Sequence, residues 1–304
     1  MRNFILLLLA IAMVGCGGQR AKKAEPAAPK KVHFKRVMPP AQSTEEGAFH
    51  YMVEHYWDRF DFADTLFIER VDSAEMMRAY AEYIATYVGP YNGEPVAKLM
   101  KKASVSRKML DYFVAMSEKL FHDPNSPLRS DELYIPVLEA QIAAPYYDEY
   151  EKMVPEYDLA LASQNRIMKS ANDFRYTLSS GRTANLYSLK ADFVLIYINN
   201  PGCPMCRQIQ EQLVASQIIT AALADGRLKI LAIYPDEDLT LWHEHPLPKE
   251  WINGYDKGRR LEKDRLYDLR AIPAMYLVDR KKTVLVKDSV SVPEIESMIL
   301  EYQQ

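Results

Sequence analysis

Cysteine is scarce in this sequence, at three among 304 residues. That excludes a disulfide-stapled scaffold. Basic residues are not in excess either. Lys+Arg is 38 against Asp+Glu 41, a formal charge of −3. Nucleic-acid binding needs a concentrated basic surface, so no nucleic-acid partner is expected. The longest apolar run falls short of the roughly 20 residues that a membrane-spanning helix needs. The composition is 48% hydrophobic and 26% charged, as in ordinary globular proteins. Disordered, collagenous and low-complexity classes are thereby excluded. The length allows about two domains.

What is present begins with an address. Met1-Arg2-Asn3 is short and basic, and Phe4 to Val14 is an almost unbroken apolar run. Together they fit a secretory signal peptide over residues 1–15. The run ends in Met13-Val14-Gly15-Cys16, which resembles a bacterial lipobox. That resemblance implies cleavage before Cys16 and lipid on its sulfur and its new amino group. Cys16 is then an anchor and not a redox residue. Several acyl chains hold a membrane stably where one is marginal. The mature protein would sit in the bacterial cell envelope as a membrane-anchored lipoprotein facing the periplasm. Its formal charge would be −4, because Arg2 is lost. The alternative is an ordinary signal peptide with a chance Cys. Residues 16–46 are rich in Gly, Ala, Lys, Pro and Gln and lack an apolar period, so they read as the lipidated Cys and a flexible tether.

Residues 47–164 read as a helical domain. Met76, Tyr80, Tyr83, Ile84 and Tyr87 share one helix face. Asp72 before them and Glu75 resemble a capping box, and Gly89-Pro90 stops the run. Met109, Phe113, Met116 and Leu120 form a second stripe, ended by His122-Asp123-Pro124-Asn125. Asp131 to Ile142 and Tyr147 to Leu161 are further helical segments. Aromatics are dense here, Tyr51, Tyr56, Trp57, Phe60, Tyr146, Tyr147 and Tyr150 among them. A carbohydrate or peptide groove is conceivable, but packing between short helices is the expected use. No catalytic constellation stands out.

Residues 165–304 alternate strand and helix. Asp173 to Leu178 alternates in polarity. Phe193-Val194-Leu195-Ile196-Tyr197-Ile198 is apolar on both faces, as a central strand should be. Asn199-Asn200-Pro201-Gly202 breaks it, and Cys203-Pro204-Met205-Cys206 follows, with Ile209, Leu213 and Val214 at helical spacing. Leu228 to Tyr234 is another buried strand. Met275 to Asp279 and Val284 to Lys287 form a hairpin. Ser291 caps a final helix.

A Cys-x-x-Cys at the start of a helix has a physical purpose. Unpaired backbone N–H groups and the helix dipole favour a thiolate on the first sulfur. The second Cys, one turn on, is close enough to resolve a mixed disulfide. Cys203 is therefore expected as nucleophile and Cys206 as resolving thiol. Pro204 suits the first helical turn. A zinc site needs about four ligands. No second Cys pair exists, and His243-Glu244-His245 reads as a solvated loop. Haem attachment needs His where Arg207 stands. The expectation is no metal and no cofactor.

These residues resemble the thioredoxin superfamily over about Ile167 to Gln304. The nearest branch is membrane-anchored and thioredoxin-like, with a peroxiredoxin-related fold. The resemblance rests on Ala171-Asn172-Asp173-Phe174 with Leu186 to Leu189, on Asn200 to Cys206, on Ile233-Tyr234-Pro235-Asp236, on Tyr267 to Pro273, and on the closing hairpin. It implies an α/β thioredoxin-like domain, a central mixed sheet flanked by helices, preceded by an all-α domain. It also implies a cis bond before Pro273, with the Ile272 backbone offered to a substrate chain. Gly202 replaces the branch's usual Trp, Tyr197 the buried acid, and Ile209 a Glu found in some relatives, so no proton-relay carboxylate is identified. Asp236, Glu237 and Asp238 read as a solvated loop. Peroxidase chemistry is not expected. The helical half resembles an uncharacterised domain found ahead of thioredoxin folds in Gram-negative lipoproteins.

The function expected is envelope thiol–disulfide exchange, with protein thiols or disulfides and a redox partner protein as partners. The alternative is a non-catalytic lipoprotein that binds a partner or ligand through the helical domain.

Overall fold

The computed structural model describes residues 31–245 and 247–302. The expected signal peptide and Cys16 lie outside the described residues. Among the described residues no helix is long and apolar enough to cross a membrane.

The first half is helical. It contains α1 (Glu45–His55), α2 (Phe67–Arg70), α3 (Ser73–Tyr83), α4 (Glu94–Ala103), α5 (Arg107–Ser117), α6 (Asp131–Ala143) and α7 (Glu149–Ala162). Both expected stripes are interior: Met76, Tyr80, Met109 and Phe113 are fully buried. The core is made largely of rings. Phe113 meets Trp57, Phe60, Phe62 and Tyr80 at centroid distances of 5.5 to 6.1 Å. Such edge-on and tilted pairs add to the burial of their large apolar area. The α3 and α5 helices each end in a wider π turn, Ile84–Val88 and Glu118–His122.

Three details differ from the sequence reading. Asp72 does cap α3, accepting from the Ala74 and Glu75 N–H groups. The reciprocal half of the box is absent, because Glu75 instead accepts from the Phe34 N–H at 2.8 Å. The expected tether therefore ends early. Val37 is buried, Val32 bridges Val71, and the Phe34 ring lies 5.1 Å from Trp57. Apolar residues spaced two or three apart made this contact, which a search for helical period passes over. Tyr150 also differs from the packing expectation, being 82% exposed on α7.

The second half contains β1 (Arg175–Leu178), β2 (Thr183–Asn185), β3 (Phe193–Ile198), α8 (Pro204–Ala215), α9 (Gln217–Ala224), β4 (Leu228–Tyr234), α10 (Leu239–Glu244), β5 (Ile252–Tyr255), α11 (Arg260–Lys263), β6 (Ala274–Asp279), β7 (Val284–Ser289) and α12 (Val292–Glu301). The sheet order is β2-β1-β5-β4-β3-β6-β7. Neighbours β3, β4 and β5 run parallel, and the other pairs are antiparallel. All of β3 is buried. Phe193, Leu195 and Tyr197 pack with α8, α9 and α12, while Val194, Ile196 and Ile198 pack with Phe174 and Tyr267 on the other face. Two covered faces explain the unbroken apolar run.

Strands β2 and β5 were not legible in the sequence. They are short and lack an apolar run, and β5 has a glycine in its interior. That glycine is required: a Cβ on Gly254 would lie 2.9 Å from the Tyr176 ring. Leu186–Ser188 is a turn of 3-10 helix.

Buried charge ties the halves together. Lys287 of β7, 7% exposed at its side chain, meets Asp131 at 2.8 Å. It also donates to the Ala162 and Gln164 carbonyls at 2.6 and 2.7 Å, capping the end of α7. Arg129 pairs with Asp288 at 2.6 Å.

Candidate active site

The site lies where β3 stops and α8 starts. Asn200 shapes the loop between them. Its carbonyl accepts the Cys203 N–H at 3.0 Å, its side-chain oxygen accepts the Gly202 N–H at 2.8 Å, and its amide donates to Asp236 at 2.6 Å. This leaves Cys203 at the N-cap of α8, with Pro204 in the first turn. The Cys203 sulfur accepts the Cys206 N–H at 3.3 Å. It thus takes up one of the helix's unpaired donors, the arrangement that favours negative charge on a capping atom.

Across the gap stands the segment before β6. The Ile272–Pro273 bond is cis. The Cys203 thiol points at the Ile272 carbonyl, 3.7 Å away. Residues nearly 70 positions apart are thus brought together as expected.

Cys206 is 3% exposed, whereas Cys203 is partly open. Burial pushes the Cys206 thiol up to about 12, against the opposing pull of the Asn200 N–H that donates to its sulfur at 3.4 Å. Behind it, Tyr197 is fully buried and donates its hydroxyl to the Cys206 carbonyl at 2.5 Å. Burial also raises the Tyr197 phenol well above its usual range. A neutral hydroxyl therefore fills the place of an acid, and Ile209 is likewise buried.

Asp236 is not merely solvated loop, since it holds Asn200. Asp238 caps α10. His243, Glu244 and His245 are exposed at the end of α10, a helix end and not a loop. Asn200 is the site residue whose role the sequence did not reveal. Its position after a buried strand signals a turn but not four simultaneous hydrogen bonds. A cleft of about 260 Å³ adjoins the site, lined by Asn200, Cys206, Arg207, Gln210, Glu244 and His245.

A known protein shows the same architecture. A crystal structure of a thioredoxin-like protein from Bacteroides caccae matches with TM-score 0.83 and 40% identity, over 90% of this chain and 99% of that one. The chain belongs to the thioredoxin-like family. Residues 15–165 of this thioredoxin-like chain also match DUF5106, a domain of unknown function. The C-terminal domain of an uncharacterized protein from Bacteroides fragilis is 46% identical, with TM-score 0.44, over 45% of this chain and 98% of that one. The thioredoxin domain of a thiol-disulfide oxidoreductase from Bacteroides vulgatus is 18% identical, with TM-score 0.38, over 45% of this chain and 98% of that one. No curated protein is a significant match. The expected helical domain followed by a thioredoxin-like domain is therefore correct.

Proposed function

We propose that this thioredoxin-like protein exchanges thiols and disulfides in the cell envelope through Cys203 and Cys206. One observation carries the reading. A partly open sulfur caps a helix and faces the Ile272 carbonyl before the cis proline, with a second sulfur buried one turn behind.

In the reducing direction, the Cys203 thiolate attacks one sulfur of a substrate disulfide. The substrate S–S bond breaks, a mixed disulfide forms, and the departing sulfur takes up a proton. Cys206 then loses its proton and attacks the Cys203 sulfur, and the second substrate thiol leaves. Two electrons have passed to the substrate, and the Cys203–Cys206 disulfide remains for a redox partner protein to reduce. Started from the oxidised pair, the same steps run backwards on substrate thiols. The Asn200 N–H on the Cys206 sulfur stabilises the charge that appears as its proton departs. Ile272 and Pro273 receive the substrate chain, the Ile272 backbone pairing with it as a strand would. The chemistry needs no metal or cofactor.

The test is insulin reduction by the soluble protein beginning after Cys16. Turnover in the presence of a dithiol supports the reading, and an inert, folded protein refutes it.

A second reading is a non-catalytic binding lipoprotein. It is favoured by Tyr150, Met153, Val154 and Tyr157, which are 45 to 82% exposed at helical spacing on α7. The same assay separates the two. For location, we propose lipid anchoring at Cys16, supported by the lipobox-like Met13 to Cys16. Cys16→Ser should release the protein from membranes. Continued pelleting after a high-salt wash would defeat that assignment.

A further inference from the structure

The helical half reaches the loop before the site at Arg270, two residues before Ile272. From Asp268 to Pro273 the chain is irregular, with no ladder to hold it. Its approach is fixed to the sheet half: the Tyr267 hydroxyl donates to the Asn172 carbonyl at 2.9 Å, and Asn165 donates to the Leu266 carbonyl at 2.7 Å. Beyond Tyr267 the anchoring changes hands. The Arg270 guanidinium forks onto Asp268 at 2.6 and 3.0 Å, within its own loop. It also reaches Asp158 of α7 at 3.6 Å, and it donates to the ring of His122 in the π turn that follows α5.

The charges agree with this geometry. Burial disfavours charge on both Arg270 and Asp268, yet each holds the other ionised. The guanidinium is pushed above its usual range and the carboxyl below its own. Burial, then Arg270 itself, lowers His122, so the ring is neutral and can accept an N–H. A planar fork held on two sides fixes direction as well as distance. A cleft of about 280 Å³ runs beside it, between Phe121 and Pro124 on one side and Arg270 and Ala271 on the other.

We propose that Arg270 is a positioning residue, through which the helical half sets the Ala271–Pro273 segment against Cys203 for the reception of polypeptide disulfides. The inference rests on the oxidoreductase reading and gives the helical half a part in it. Asp158→Asn removes the charge on the helical side at constant shape. Arg270→Lys keeps the charge on the loop and loses the fork.

The experiment measures insulin reduction by the full-length protein and both variants, with thermal melting of each. Each folded variant should raise KM about ten-fold while kcat changes less than about two-fold. The double variant should be no worse than Arg270→Lys alone, since both act through one grip. A purely structural role predicts lower melting temperatures with KM unmoved, and that result overturns the proposal. Additive effects in the double variant overturn it too. If Asp158→Asn does not fold, Arg270→Lys decides by the same KM criterion. Active wild type with unchanged KM in the variants rejects only the positioning role. Inert wild type rejects the oxidoreductase reading and this proposal with it.

Discussion

The two halves spend their polar groups differently. In the helical half the interior hydroxyls serve packing: Tyr56 donates to the Ala79 carbonyl, Tyr83 to that of Val53, and Tyr80 meets Ser117. Each of these rings is tied down by its hydroxyl. In the sheet half the interior is mostly aliphatic, and polar groups gather where β3 ends and α8 begins. Backbone donors lack internal partners at such ends, so a side chain placed there meets a ready field. The comparison teaches that reactive chemistry here sits at interruptions of secondary structure. The helical half approaches it through Asp158 and His122, which meet Arg270.

The strongest way to break this comparison is at the sulfurs. Cys203→Ser should abolish exchange outright, because no other described thiol is open. Cys206→Ser should instead accumulate mixed disulfides, seen as mass adducts on non-reducing analysis, because nothing resolves them. Adducts on the Cys203→Ser protein would reverse the assignment.

Next comes the aromatic core. Phe113→Ala should destabilise the helical half by about 3–5 kcal/mol, as for other buried rings. Denaturant unfolding with separate probes for each half measures it. An equal loss in the sheet half would mean that the halves fold as one unit.

The tie between them is weaker. Lys287→Met leaves Asp131 and two carbonyls without their buried partner, and should cost about 3 kcal/mol. A double-mutant cycle with Asp131→Asn isolates the pair. A coupling of zero would show that the Lys287–Asp131 pair adds nothing to the tie between β7 and α6.

Accessibility gives a graded test. At mildly acidic pH iodoacetamide should label Cys203 first. Labelling of Cys206 should rise steeply only as pH nears 12, since only the thiolate reacts. The sign for stability follows. The folded thiol keeps its proton longer than the unfolded one, whose usual value is 9.0, so this contribution is complete below that value and fades as pH climbs toward about 12. Equal labelling of the two sulfurs near neutrality would contradict the burial difference.

Least affected should be the folding of the sheet half itself when the helical half is removed. A fragment starting near Asn165 keeps the segment that bonds β7, where the Met168 N–H meets the Val284 carbonyl at 2.8 Å. It should fold and retain some insulin reduction. An insoluble fragment beside an active full chain would show that the helical half is required and not merely helpful.

Much of this protein could be read from local pattern. Helical stripes such as Met109 and Phe113, the two-sided strand Phe193–Ile198, and a Cys pair at a strand-to-helix break are short-range signals. Each depends on which neighbours lie within a turn or a pleat. The resemblance added Pro273, far from the cysteines in sequence. Local pattern did not reveal β2 and β5, whose few residues form strands only because neighbours supply the ladder. It did not reveal that Val32 to Val37 leaves the tether and joins the core, because burial there depends on Trp57 and Val71 being nearby. Nor could it place Asn200 on Asp236, or Arg270 between Asp268, Asp158 and His122. Those bonds join residues 36 and 148 positions apart. Short-range periodicity carries no information about such pairs, and only the folded chain brings them within hydrogen-bonding distance.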